Sequence, residues 1–140
     1  MKKEVLLNLR GRQSYDGQEP DEIKLTTEGT MEFCNGGWDI SYEETELTGM
    51  AGVTTTFRVE PDKVILRRTG KLHSEMIFQL GVPHESLYQL EFGALLMTVT
   101  AKHLYFDIVS DGGMIDLVYD IAIENSEAGT IDYHLDIRAK

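Results

Sequence analysis

Apolar and polar residues alternate along most of this chain with the period of two that is typical of half-buried β-strands. From Ile23 to Cys34, apolar or small residues occupy one side and polar residues the other, with Cys34 on the polar side. The two final runs alternate most clearly and carry, on their apolar sides, Ile115, Leu117, Tyr119, Ile121, Ile123, Ile131, Tyr133, Leu135 and Ile137. Helical spacing is nearly absent, so we predict an all-β chain with at most a turn or two of helix, near residues 83–87.

Short turn signals separate the alternating runs. Asn35-Gly36-Gly37 accepts positive φ, and Pro61-Asp62 predicts a tight hairpin. Gly93 predicts a bend or bulge, and residues 94–100 are apolar enough to predict burial on both faces. The pattern predicts roughly eight to ten strands with short connections, which we expect to form one domain over residues 1–140. Such a chain closes most economically as an antiparallel up-and-down β-barrel without exposed edges; a β-sandwich is the alternative.

Composition and charge narrow the possible binding partners and the expected cellular location of this protein. The 140 residues are 41% hydrophobic and carry a formal net charge of −11, which opposes binding to nucleic-acid phosphates. A basic cluster at residues 63–71 is more typical of a solvated hairpin edge than of a phosphate-binding surface. No apolar run approaches the ~18 residues that span a bilayer, and the first ten residues lack the features of a signal peptide. We therefore expect an acidic, cytoplasmic protein that binds neither nucleic acid nor membranes.

The sequence contains none of the common motifs of catalysis or cofactor binding. The four histidines show no metal-ligand spacing, and neither a phosphate-binding glycine loop nor a Gly-x-Ser-x-Gly elbow occurs. Cys34 is the only cysteine, which excludes an intramolecular disulfide, and no neighbour in sequence would activate its thiol. We expect no cofactor, no metal and no catalytic residue that the sequence can identify.

The alternation places several polar-tipped side chains on the inner face, where apolar residues are expected. Glu44 and Arg68 fall on that face. An isolated buried charge costs several kcal/mol, so the two are expected to meet each other or a ligand; a structural pair or a solvated position at the barrel rim is the other interpretation. The candidate ligand-binding residues are therefore Tyr42, Glu44, Thr55, Arg68, Tyr88, Tyr119 and Tyr133.

Three stretches of this sequence resemble the YwiB-like family of bacterial proteins. Residues 40–45 resemble its Tyr-x-Glu-Thr/Pro segment, residues 64–70 its apolar-Arg-x-Gly strand end, and residues 88–100 its Tyr, Gly and Thr strand pair. The resemblance implies a lipocalin-like, calycin-type β-barrel from cytoplasmic proteins of Gram-positive bacteria, of unknown function and without an implied activity. Leu90-Glu91-Phe92 departs from the family's Thr-Pro-Tyr-like stretch. The family's recurrent polar positions correspond to Tyr42, Glu44, Arg68, Gly70, Tyr88, Gly93 and Thr100.

Three functions are compatible with this pattern. The first is the binding of a small amphipathic or acidic molecule inside the barrel, with its acidic group on Arg68. The second is a structural or protein-interaction domain with a filled core, for which a homodimer fits equally well. The third is an enzyme in which Glu44 acts as acid or base and Arg68 stabilises charge. We rank binding first and catalysis last, because no substrate can be named from the sequence.

Overall fold

The computed structural model describes residues 2–14, 21–45, 51–90, 93–124 and 126–140. Within these ranges, the side chains of residues 21, 88–90 and 127–128 are not described. The secondary structure consists of β1 (Lys3–Ser14), β2 (Asp21–Cys34), β3 (Gly37–Glu43), β4 (Val53–Glu60), β5 (Lys63–Gly70), β6 (Ser74–Phe78), β7 (Pro83–Leu90), β8 (Gly93–Val109), β9 (Gly112–Ile123) and β10 (Ser126–Ala139). In the part of the chain described, no helix has the length and apolar composition needed to cross a membrane.

All ten strands belong to one antiparallel sheet, in the order β6-β5-β4-β3-β2-β1-β10-β9-β8-β7. The first and last strands pair with each other, with Leu7 opposite Ile137, which brings β6 and β7 to the two edges of the sheet. These edges lie against each other, and the amide of Gly81 donates to the carbonyl of Ala101 at 2.9 Å. The fold is therefore a nearly closed antiparallel β-barrel, as the alternation predicted. We call the junction of β6 and β7 the seam.

The inner faces of the strands build a continuous apolar core. Alternate residues on each strand point inward, so the same period of two that predicts the strands also selects the core. Fully burying such a side chain contributes about 1.5–3 kcal/mol. The largest side chains that are fully buried are Phe57, Phe78, Leu7, Met31, Ile40, Leu66, Ile115, Leu117, Leu135, Val5, Val64 and Val99.

Three local predictions were wrong. Residues 83–87, expected to be helical, belong to β7, which pairs with β8 from Pro83 opposite Thr100 onward; proline is tolerated as the first residue of an edge strand. Residues 94–100 are not buried on both faces: Val99 is buried but Leu95 is exposed, because a single-layered barrel covers only one face of β8. Phe33, expected inside, is 56% exposed and instead packs edge-on against Trp38, with ring centroids 5.0 Å apart.

The turns follow the predicted chemistry. Asn35 and Gly36 both have positive φ, at 51° and 79°, and connect β2 to β3 in a two-residue hairpin. Such turns match the right-handed twist of the flanking strands.

The odd-numbered strands all run toward the same end of the barrel, which we call the upper end. The following site lies near that end.

Candidate functional site

A row of polar side chains crosses the inner face of four neighbouring strands near the upper end. Backbone pairing sets Tyr42 of β3 opposite Thr55 of β4, Thr55 opposite Arg68 of β5, and Arg68 opposite Ser74 of β6. Directly opposed residues share one face of a sheet, so these side chains point into the barrel side by side. All four residues are buried, and Arg68 is only 8% exposed. We call these four residues the polar row.

Glu44 joins the polar row just beyond β3 and is held by hydroxyl donors. It lies two residues after Tyr42, on the same side of the chain, and is buried. Thr55 Oγ1 donates to Glu44 Oε2 at 2.6 Å, and the hydroxyl of Tyr42 also hydrogen-bonds to Glu44. Burial, with the nearby Tyr133 and Glu44, raises the pKa of Tyr42 far above its usual value. Tyr42 therefore stays protonated and donates to the Glu44 carboxylate.

Arg68 has fewer hydrogen-bond partners than a buried guanidinium can use. Its Nη2 lies 3.5 Å from the hydroxyl of Tyr133, a long and weak contact. Its Nε is buried and has no hydrogen-bond partner among the described residues. Burial acts to lower the pKa of Arg68, but Tyr133, Tyr119, Tyr42 and Glu44 together outweigh it and raise that pKa. The side chain is thus a buried cation with an N–H donor that no described residue uses.

The remaining predicted residues lie around this cluster. Tyr119 is buried, and its ring centroid lies 4.5 Å from that of Phe78. Tyr133 is half-buried and packs edge-on against Phe57, with centroids 6.2 Å apart. The backbone of Tyr88 pairs with Leu95, whereas its side chain lies outside the described part of the structure. The structure thus brings six of the seven predicted residues to the barrel interior; their role as ligand-binding residues remains a prediction.

A cleft of about 280 Å³ opens at the seam beside Arg68. Ser86 of β7 lies opposite the buried Met97 and therefore faces the interior. Sequence alone could have identified Ser74 as an inner residue, because it alternates in step with Met76 and Phe78. Ser86 was missed because a helix was predicted near residues 83–87. The cleft, which we call the seam cleft, is lined by Arg67, Arg68, Thr69, His73, Ser74, Glu75 and Leu87.

A second buried arginine, Arg58, lies on the outer face of β4 and was not anticipated from the sequence. Its guanidinium donates to Asp39 Oδ1 at 3.4 Å, to Glu60 Oε2 at 3.4 Å and to the carbonyl of Asn35 at 3.0 Å. Cys34 donates to Asp39 at 3.2 Å, and this hydrogen bond, with burial, raises the pKa of the thiol. Cys34 therefore remains a thiol, and Arg58 is fully engaged in contacts within the protein.

Metal ligation finds no support in the described part of the chain, where no group of three or more His, Cys, Asp or Glu side chains could hold an ion. His134 comes nearest to such an arrangement, with Nδ1 at 3.1 Å from Asp116 Oδ1 and Nε2 at 3.2 Å from Asp136 Oδ2. Both of its ring nitrogens are thus already engaged by carboxylates.

The family and the fold of this chain have counterparts among known proteins. The model of a family described as a domain of unknown function (DUF1934) matches residues 7–137, so the chain belongs to that family. The fold is similar to the crystal structure of the YwiB protein from Bacillus subtilis, with a TM-score of 0.88 and 19% sequence identity. The similarity covers 99% of this chain and 93% of the other. Among curated proteins, none matches this chain.

Proposed function

We propose that this protein is a non-catalytic binding barrel that accepts a small acidic, amphipathic molecule at Arg68. The observation that carries this proposal is the buried guanidinium, which has one contact of 3.5 Å and an Nε without a partner among the described residues. Burying a charge without good partners is costly, so such a group is retained where something else completes its hydrogen bonding. A bound acid would do so, in the lipocalin-like manner of a small barrel holding one ligand.

The polar cluster favours an anionic ligand over a cationic one. The Glu44 carboxylate already receives hydrogen bonds from Thr55 and Tyr42, whereas the charged group with an unpartnered atom among the described residues is the donor Arg68. An arginine has five N–H donors and no acceptor, so only a ligand that accepts hydrogen bonds can complete it. Carboxylates are the common partner, since they take two parallel N–H donors from one guanidinium.

Matched acids and alcohols test this proposal. Isothermal titration with benzoate and hexanoate is expected to show binding, whereas benzyl alcohol and hexanol, which lack the charge, are not expected to bind measurably. Arg68→Met is expected to lose the binding of both acids. Arg12→Met is expected to keep it, because Arg12 is half-exposed on β1, away from the seam, and lies 3.9 Å from Glu22. The double variant Arg68→Met/Glu44→Gln removes both charges together and serves where the single variant does not fold.

Two results would overturn the proposal. One is the absence of binding by either acid to the wild-type protein; the other is equal binding by wild type and the folded Arg68 variants.

We also propose a cytoplasmic location, which a lone cysteine without a disulfide partner suits. Detection of the native protein in the membrane-free cell lysate rather than in the culture medium would support this location.

Exposed apolar side chains favour a second candidate, self-association. Leu80, Val82 and Leu87 all lie next to the seam and are substantially exposed. Exposed apolar residues grouped in this way are typical of interaction surfaces. Light scattering on a gel-filtration column distinguishes the two states: a dimer that Leu80→Lys converts to monomer supports this candidate, and a wild-type monomer contradicts it.

A further inference from the structure

We infer that the acidic group is a single carboxylate, bound at the seam by Arg68 Nε together with the hydroxyls of Ser74 and Ser86. This inference rests on the proposed binding function and adds the position and the chemical class of the ligand. The ligand's apolar body would then lie in the seam cleft, against Leu87, which lines that cleft and is 55% exposed.

Unsatisfied buried groups are concentrated at the seam. Within the described residues, three buried side-chain polar atoms have no hydrogen-bond partner, namely Arg68 Nε, Ser74 Oγ and Ser86 Oγ. They belong to β5, β6 and β7, which are consecutive in the chain; β6 and β7 border the seam, and β5 pairs with β6. Buried polar atoms are nearly always paired in folded proteins, so three exceptions in one region need a common explanation.

Two of these atoms lie on neighbouring strands of one inner face, and the third faces the same interior from the other side of the seam. Ser74 lies directly opposite Arg68 in the β5–β6 pairing, on the same inward face. Ser86 faces inward from β7, across the seam, whereas the next residue, Leu87, points to the outer face and lines the cleft beside Arg68 and Ser74. An anion at the inner end of the seam cleft would therefore be approached from both sides of the seam.

The chemistry of these groups selects a carboxylate with one negative charge. Arginine can only donate, and serine hydroxyls can donate as well, so the shared partner needs several acceptor sites, as a carboxylate has. Arg68 and Glu44 together carry no net charge, so a carboxylate adds one negative charge to this buried region and a phosphate ester adds nearly two. The cleft volume of about 280 Å³ lies just below the usual range for ligand pockets, which favours a small body such as one aromatic ring.

Serine variants test the position of the acid. The probe is benzoate, titrated calorimetrically into the full chain. Ser74→Ala and Ser86→Ala are each expected to weaken benzoate binding roughly fivefold, the effect of one lost hydrogen bond. Ser41→Ala is the matched control, because Ser41 bonds to Thr56 on the outer face at 2.9 Å, and it is expected to leave benzoate affinity unchanged. Where an alanine variant does not fold, Ser74→Cys or Ser86→Cys replaces it. Cysteine is close to serine in size, and its thiol is only a weak hydrogen-bond donor.

The outcomes separate this inference from the proposed function. If benzoate binds and Arg68→Met abolishes binding, but the Ser74 and Ser86 variants match Ser41→Ala, the binding function stands and the seam site is wrong. If benzoate does not bind the wild-type protein, both are wrong. Phenyl phosphate tests the charge: we expect it to bind at least tenfold more weakly than benzoate, and equal or tighter binding would exclude a monocarboxylate site.

Discussion

Arg58 and Arg68 are two buried arginines with nearly the same exposure, 9% and 8%, and very different surroundings. Arg58 donates to two carboxylates and a backbone carbonyl on the outer face of the barrel. Arg68, inside the barrel, has one contact of 3.5 Å and an unpartnered Nε among the described residues. The comparison indicates that the partners of Arg58 belong to the fold itself, whereas we propose that a ligand completes the hydrogen bonding of Arg68.

The largest effect is expected from removing the satisfied arginine. Arg58→Met breaks charged hydrogen bonds to Asp39 and Glu60, and Glu60 keeps only Lys63 at 3.6 Å. We therefore expect a loss of about 3 kcal/mol in the free energy of unfolding. Urea unfolding measures it. Arg67→Met is the control, since its pair with Glu75 is half-exposed and should contribute less than about 1 kcal/mol. Equal effects of the two variants would remove the structural role assigned to Arg58.

A smaller loss in the free energy of unfolding is expected from removing the hydrogen bond between Thr55 and Glu44. Thr55→Val keeps the shape of the side chain and removes the 2.6 Å hydrogen bond to the buried Glu44, at a cost of about 2 kcal/mol. Thr56→Val, one residue away on the outer face, loses only the partly buried contact with Ser41 and should cost less than about 1 kcal/mol. Chemical denaturation of both variants at neutral pH makes the comparison. A Thr55 variant no less stable than the Thr56 variant would contradict the contact with Glu44.

Tyr42 is expected to show its role through pH. Burial, together with Tyr133 and Glu44, raises the pKa of Tyr42 in the folded protein. The protonated tyrosine therefore contributes its full stability below the ordinary pKa of 10.0, and this contribution is lost progressively as the pH rises above 10.0. Tyr42→Phe should be about 1 kcal/mol less stable than wild type at pH 8, where it lacks the bond to Glu44. The difference in the free energy of unfolding between wild type and Tyr42→Phe should shrink by up to roughly 1.4 kcal/mol per pH unit above pH 10.

Unfolding midpoints at pH 8 and pH 11 check this prediction, with Tyr105→Phe as the exposed control. The control should follow wild type at both pH values. A constant difference between wild type and Tyr42→Phe across this range would show that Tyr42 does not keep its proton because of its buried surroundings.

The faces of the strands could be predicted from the sequence, but the contacts between strands could not. The period of two placed Tyr42, Glu44, Thr55 and Arg68 inside, because one face of each strand must be buried. Which inner residues meet depends on the pairing of β1 with β10, and this pairing sets the position of the seam. Ser86 was missed for that reason as well as for the predicted helix.

Arg58 was missed for a different reason. It lies on the polar face of β4, where alternation predicts exposure, and it is buried by its own partners Asp39, Glu60 and the carbonyl of Asn35. Burial of this kind comes from side chains that fold over one another on the outside of a sheet. A pattern of apolar and polar residues contains no signal for it.

The most direct test of the difference between the two arginines is the free energy of unfolding of Arg68→Met/Glu44→Gln. The double variant removes both buried charges, so neither is left alone. If Arg68 serves a ligand, this variant should be as stable as wild type or more stable, since replacing buried opposite charges by neutral groups is often neutral or stabilising. It should also fail to bind benzoate. A loss of about 3 kcal/mol or more, comparable to Arg58→Met, would contradict the account and make Arg68 a structural residue.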